Sequence, residues 1–356
     1  MANKVTIQDI ADALGVSRNT VSKAINNTGI LADATREKVL AKAVEMGYKQ
    51  FSYANSVSDI IGNTPVQPAP LRTGEFALFI GNFLDNSHFA STMLDKFQHE
   101  IAHLGYSMTM HRVTPDNIAN LSFPPSFSPE RTVGIICVEM FDQAYCDMLG
   151  KLSLPVLYVD GPVTSFSNQL AGDLLLMDNS AGIFKLISDM KEKGITKIGF
   201  VGESNHCRSF FERYMAFRNA MYLNGLPIDE RFCLNAIHSH GTEYFSSLFQ
   251  TFSQMEELPE LLICANDFVA IDIVNCLKIM NKSYPEDIKI CGFDDSAESK
   301  VMTPALTTCH IHSQAMGYTA ANLLLSRIEQ PDLNYRTVYT ETNLIYREST
   351  DIQKQI

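Results

Sequence analysis

The chain has 356 residues, of which 46% are hydrophobic, too many for one ordinary domain and apolar enough to bury two or three cores. Its formal net charge of −12 is unevenly placed: residues 1–50 hold seven Lys/Arg against five Asp/Glu, leaving 21 against 35 in the rest. An acidic chain is a poor partner for a polyanion, so any nucleic-acid contact is expected in the mildly basic head alone.

Along the chain, Thr6 precedes Ile7, Ile10, Ala11 and Leu14, the i, i+3, i+4, i+7 spacing of one apolar helix face. Thr6 and Asp9 suit a capping box, Gly15 stops the helix, and Ser17 can cap a second one. In that second helix Val21, Ala24 and Ile25 face inward, while Asn19, Lys23 and Asn26 share another face with Arg18 and Ser22 beside them. A third helix follows Asp33 and runs to Met46, with Gly47 as its stop. Helix, short glycine turn, helix is the helix-turn-helix plan, whose second helix enters the major groove. Arg reads guanine and Asn reads adenine in bidentate fashion; Lys23 suits a base or a phosphate, and Ser17, Thr20 and Ser22 suit phosphates. An ordinary three-helix bundle with a solvated polar face is the alternative on pattern alone.

The stretch VTIQDIADALGVSRNTVSKAINN resembles the N-terminal signature of the lac-repressor (LacI/GalR) family of bacterial transcription regulators. Matching positions include Thr6, Asp9, Ala11, Gly15, Val16, Ser17, Thr20, Val21, Ser22 and Asn26. The family's variable base-reading positions fall on Arg18, Asn19 and Lys23, and Lys23 departs from the Arg more usual there. Tyr48 fits the family pattern. The family follows its head with a hinge helix that inserts a leucine into the minor groove. Here the hinge's usual Pro-Asn and Arg-Ala pieces are missing, and Val57 falls about where the leucine is expected. The DNA-contacting set so implied is Thr6, Ser17, Arg18, Asn19, Thr20, Ser22, Lys23, Asn26, Tyr48 and Val57. Pro65, Pro68 and Pro70 then make an extended linker.

From residue 75 short apolar strands (FALFIG, TVGIICVE, PVLYVD, KIGFVGE, LLICAND, IKICGFDD) alternate with amphipathic helical stretches, one of them running from Phe89 to His103. That alternation predicts parallel sheets wrapped by helices, with ligands at the carboxyl ends of strands. Asp160, Asn266–Asp267 and Asp294–Asp295 stand at such ends, although Asp also favours turns and caps for its own sake.

The body resembles the same family's sensor, which is like a periplasmic sugar-binding protein, through MDNSAG, ERYMAF, CANDFVA, YPEDIKICGFDD, TPALTT and LIYREST. The fold class so implied is an all-α helix-turn-helix head (1–50), a hinge and linker (51–74), and a two-lobed α/β periplasmic-binding-protein-like sensor with parallel sheets (75–356). Lobe one is expected near 75–161 and 294–323, lobe two near 164–291 and 327–356, with a small-molecule effector between them. Carried over by position, the effector contacts are His88, Phe89, Asp160, Arg213, Asn266 and Asp294. The set suits a polyhydroxylated ligand such as a sugar: Arg and Asn donate, carboxylates accept from hydroxyls, and Phe89 stacks on a ring. His88 departs from the more usual residue, leaving a purine or a phosphorylated sugar open, and His238 and His240 are further candidates for the cleft.

An effector-responsive repressor acting as a homodimer on a double-stranded DNA operator is therefore expected. The alternatives are a regulator with a degenerate or protein-controlled sensor, and a sugar-binding module with no regulatory role. No GxSxG or P-loop occurs, GFVGES lacks the dinucleotide fingerprint, and the nine histidines are read as lacking HExxH or other metal spacing; no enzyme, cofactor or metal site is expected. No apolar run reaches about 18 residues and MANKVTIQDI lacks a signal-peptide core, so the expected location is cytoplasmic, on the nucleoid when operator-bound. None of the eight cysteines forms a CxxC pair, and buried free thiols are expected. No heptad tail follows LIYREST, so a coiled-coil tetramer is not expected.

Overall fold

The computed structural model describes residues 5–25, 35, 38–39, 42–43, 46, 74–81, 88–235 and 244–350. The chain forms two compact units, Met1–Pro70 and Leu71–Ile356. In the first, α1 (Ile7–Leu14) starts at a complete capping box: Thr6 Oγ1 accepts from the Asp9 amide, and Asp9 accepts from the Thr6 amide. Gly15, at φ 65°, takes the left-handed turn that α1 needs to stop, and its N–H reaches the carbonyls of Ala11 and Asp12. Ser17 Oγ then accepts from the Thr20 amide at 3.0 Å and opens α2 (Arg18–Ile25). Ile10, Ala11, Val21, Ala24, Val39 and Ala43 form the core of this unit. The inward position expected for Ile25 lies outside the described side chains.

The second unit is built on two parallel sheets. The larger has the order β11-β5-β4-β3-β1-β2, made of β1 (Glu75–Ile80), β2 (Ser107–Arg112), β3 (Thr132–Val138), β4 (Val156–Val159), β5 (Asp173–Met177) and β11 (Thr337–Thr340). The smaller has the order β7-β6-β8-β9: β6 (Ile198–Val201), β7 (Cys233–Leu234), β8 (Leu261–Cys264) and β9 (Lys289–Cys291). Alternate residues of one strand serve opposite faces. Phe76, Leu78 and Ile80 pack under α3 (His88–Ala102) and α11 (Ser313–Glu329), whereas Ala77 and Phe79 join a second cluster with α5 (Gln143–Leu149). Burial on both faces explains why the strands read as continuous apolar runs. The antiparallel pair β10 (Thr308–Ile311) and β12 (Thr342–Ile345) extends the smaller sheet through the parallel bridge Cys291–Thr307.

The lobe boundaries differ from those expected. β5 pairs with β4, and β11 with β5, so residues 173–177 and 337–340 belong to the first lobe, not the second. The strand at 308–311 belongs to the smaller sheet, so this part of 294–323 lies in the second lobe. The chain therefore crosses between lobes after Met177, after Ile311 and after Thr340. A long-range ion cluster fixes this path. Asp173, 2% exposed, accepts from Arg327 Nη2 at 2.9 Å at the end of α11 and from Arg336 Nη2 at 2.7 Å at the start of β11. Arg327 also donates to the Asn334 carbonyl at 2.9 Å and so folds the return loop down.

Burial pushes the Asp173 carboxyl up, but the hydrogen bonds from Arg336 and Arg327 hold it below the ordinary carboxylate value. Its stabilising effect is then complete above that value and fades as pH falls through the lowered one. Asp173→Ala leaves two guanidinium groups without their shared anion. It should lower unfolding stability in urea by about 3 kcal/mol at neutral pH; a loss within measurement error would mean that β11 is held by other contacts.

Candidate functional site

In the helical unit, Arg18 and Asn19 project from the exposed first turn of α2, and Ser22 and Lys23 are half-buried one turn on. Val21 and Ala24 face the core, so the packing of α2 presents its polar side outward. Thr6 and Ser17 are committed to caps, and Thr20 Oγ1 lies 2.8 Å from Ser17 Oγ. Asn26, Tyr48 and Val57 lie outside the described residues, as do His238, His240 and the side chain of His88.

In the two-sheet unit, the polar residues at strand ends converge where the lobes meet. α7 (Arg208–Leu223) of the second lobe starts against the end of β4 in the first: the Arg208 amide donates to the Gly161 carbonyl at 2.8 Å. Asp160, 6% exposed and at φ 60°, turns its Oδ1 to the amides of Gly161 and Ser209, at 2.8 and 3.2 Å. The carboxylate thus sits on the positive end of a helix, while burial raises its pKa.

Arg213, 3% exposed, lies one turn further along α7. Its Nε donates to Asn179 Oδ1 at 2.9 Å, its Nη1 to the Ala265 carbonyl at 2.6 Å, and its guanidinium stacks 3.6 Å from the centre of the Phe293 ring. The same Nη1 is 3.8 Å from Asp294 Oδ1, an ion pair longer than a hydrogen bond. Asp294 adopts φ 118°, and burial raises its pKa to about 8; Arg213 opposes that rise, and Asp267 and Glu139 add to it. Asn266 caps α9 (Asp267–Ile279) by accepting from the Val269 amide at 2.9 Å. Asp267, also buried, accepts from Thr308 Oγ1 at 2.6 Å and the Ser296 amide at 2.8 Å. A Cβ at Gly292 would lie 2.1 Å from Asp267 Oδ1, so only glycine lets this strand end approach α9.

Of the expected effector contacts, Arg213 and Asp294 are brought together, and Asp160 and Asn266 flank them; Phe89 packs against the core of the first lobe. Three participants escaped the sequence reading. Asn179 links Arg213 to Glu212 Oε2 (2.8 Å), and Glu212 in turn accepts from Arg208 Nε (2.9 Å) and Tyr339 OH (2.8 Å). Asn179 lies inside MDNSAG, a run used only for its resemblance. Glu212 stands directly before Arg213 and was passed over, and Tyr339 sits on a strand assigned to the other lobe. All eight cysteines are free; all but the half-buried Cys233 are buried.

A helix-turn-helix unit joined in one chain to a two-lobed α/β unit with a polar seam is the construction of a ligand-controlled DNA-binding regulator. The profile described as "Bacterial regulatory proteins, lacI family" matches residues 6–50, and that of a "Periplasmic binding protein-like domain" matches residues 187–350. The HTH-type transcriptional repressor PurR of Haemophilus influenzae is 28% identical over 356 residues, covering 97% of this chain and 98% of that protein. Among solved structures, the transcriptional regulator CelR–cellobiose complex superposes with a TM-score of 0.65 at 21% identity, covering 97% of this chain and all of that one. The lac repressor dimer bound to operator and the anti-inducer ONPF gives 0.63 at 19%, covering 98% and 99%. The chain belongs to the lacI family of bacterial regulatory proteins. It is a DNA-binding transcriptional repressor with an effector-binding domain, not an enzyme. No described helix is long and apolar enough to cross a membrane.

The raised pKa of Asp294 has a measurable sign. A carboxyl whose folded value exceeds its unfolded one contributes stability below the ordinary carboxylate range, and that contribution is lost as pH rises through about 8. Protein purified without effector should therefore lose thermal stability as pH rises from about 4 to about 8, and Asp294→Asn should flatten that slope. An identical slope in the variant would show that Asp294 is ionised throughout.

Proposed function

We propose that the chain represses transcription as a homodimer in the cytoplasm, and that a small polyhydroxylated effector, a sugar or a close derivative, controls it from the seam between the lobes. The observation that carries the effector reading is the buried Arg213–Asp294 pair, 3.8 Å apart at the seam. The Asp294 carboxyl, held short of hydrogen-bond contact with Arg213, keeps an oxygen to accept from a ligand hydroxyl, and the guanidinium beside it can donate to the next. Asp160 and Asn266 flank the pair, Phe89 offers a face for a sugar ring, and His88 opens the same helix. The cellobiose of the CelR complex and the D-xylulofuranose of a regulator from Alkaliphilus metalliredigens, in relatives of the same fold, support a sugar. The dimer reading is supported by the operator-bound lac repressor dimer.

In this mechanism two copies of α2 lie in successive major grooves of a near-palindromic operator. Arg18 and Asn19 read base edges, Lys23 contacts a base or a phosphate, and Ser17, Thr20 and Ser22 contact phosphates. Thr6, Asn26 and Tyr48 complete the contact set, and Val57 takes the place of the leucine wedge in the minor groove. The effector favours one lobe arrangement over another, and only its differential affinity for the two changes operator binding, by about 1–3 kcal/mol in typical coupled systems.

Two experiments test these assignments. Asn19→Ala should weaken binding to a selected operator by about 1–3 kcal/mol in fluorescence anisotropy while leaving binding to a scrambled duplex nearly unchanged; equal losses on both would remove Asn19 from base reading. A thermal-shift panel of mono- and disaccharides, sugar phosphates and purines should show a rise with one sugar class, absent in Arg213→Lys and Asp294→Asn. A rise with purines alone would overturn the sugar assignment, and no rise with any compound would favour a degenerate or protein-controlled sensor.

A further inference from the structure

The absence of metal spacing read among the histidines needs correcting. Residues 99–103 are His-Glu-Ile-Ala-His, a HExxH string. The string spans the last turn of α3 and the residue after it, and both histidines are exposed. Their i, i+4 spacing puts both rings on one side of the helix, where His99 Nε2 and His103 Nε2 stand 3.1 Å apart, with ring centroids 4.5 Å apart and planes at 90°.

We propose that His99 and His103 form a two-histidine site for a divalent transition-metal cation of the zinc, copper or nickel class. Metal–nitrogen bonds of about 2.0–2.1 Å place two neighbouring imidazole nitrogens about 2.9–3.4 Å apart, from square to tetrahedral angles. The observed separation of 3.1 Å falls inside that span. Both rings reach this separation through Nε2 from the end of one helix, so a shared cation would take the place of the His–His hydrogen bond. Paired imidazoles select zinc, copper and nickel over magnesium and calcium, which take oxygen ligands.

The surroundings separate this site from a HExxH hydrolase. Such a centre needs a third protein ligand and a glutamate aimed at the bound water. Among the described residues no group of three His, Cys, Asp or Glu side chains is placed to share a metal. Glu100 is paired with Lys96, 2.5 Å away. The remaining coordination positions belong to water, and the site is a binding site without a catalytic base. His310 and His312, whose ring centroids are 4.9 Å apart, differ in that one nitrogen of each is already bonded to the protein, His310 Nδ1 to Asp295 and His312 Nε2 to Asn343.

The test uses the full chain stripped with EDTA and titrated calorimetrically with Zn²⁺. His99→Ala and His103→Ala should each weaken the strongest Zn²⁺ site by about a hundredfold, since losing one arm of a chelate removes its effective concentration. Glu100→Gln and His310→Ala should leave it unchanged. All four positions are at least partly exposed, and unchanged melting curves in EDTA will show that the variants fold. With one equivalent of Cu²⁺, the electron paramagnetic resonance spectrum should carry the splitting of two nitrogen ligands in wild type and lose it in both alanine variants. Failure of wild type to bind Zn²⁺, or equally tight binding by the His99→Ala/His103→Ala double variant, would overturn the proposal.

Discussion

A guanidinium buried between two sheets is the constraint on which the two-lobed unit depends. Arg213 cannot be left unpaired at 3% exposure, and each group that satisfies it comes from a point where the chain ends a strand or changes lobe. Asn179 lies in the first crossing, Ala265 ends β8, and Phe293 and Asp294 follow β9. The cluster therefore lies where the first crossing meets the strand ends of the smaller sheet. In the proposed function, an effector bonding there would act on the balance between lobe arrangements without a relay through either core.

The neighbouring aspartates at the end of β9 show how finely the seam is divided. Asp295 turns away from Arg213 to His310, Lys300 and Arg347; burial pushes its carboxyl up, yet these donors hold it near 2. Asp294 has one cation at a longer distance and is raised to about 8. One is fastened into the framework, and the other is the group that the proposed function gives to the effector. Two adjacent residues of one type thus take opposite roles because the left-handed backbone at both, φ 118° and 59°, separates their directions.

The helical head was legible because its signals are local. Thr6, Asp9, Gly15 and Ser17 act within three or four residues of themselves, and the structure returns the caps they imply. The alternation of apolar strands and helices was equally plain, since burial on both faces writes itself into sequence. Lobe membership was not. The Asp173–Arg327–Arg336 cluster joins residues more than 150 positions apart, and no local pattern announces it. At the seam, Arg213 and Asp294 stood in recognisable motifs, whereas Glu212 and Tyr339 matter only through contacts made after folding. The HEIAH string was visible in the sequence and was missed by the histidine reading, since its meaning rests on helical spacing rather than on a large ligand set.

The central claim, that effector control enters through the Arg213–Asp294 seam, is tested most directly by hydrogen–deuterium exchange of the full chain with and without the effector that binds it. The account predicts protection concentrated at the end of β4, the first turns of α7, the start of α9 and residues 293–295. Protection confined to the separate surface pocket lined by Thr196, Lys197, Pro227 and Arg231, with those segments unchanged, would contradict it.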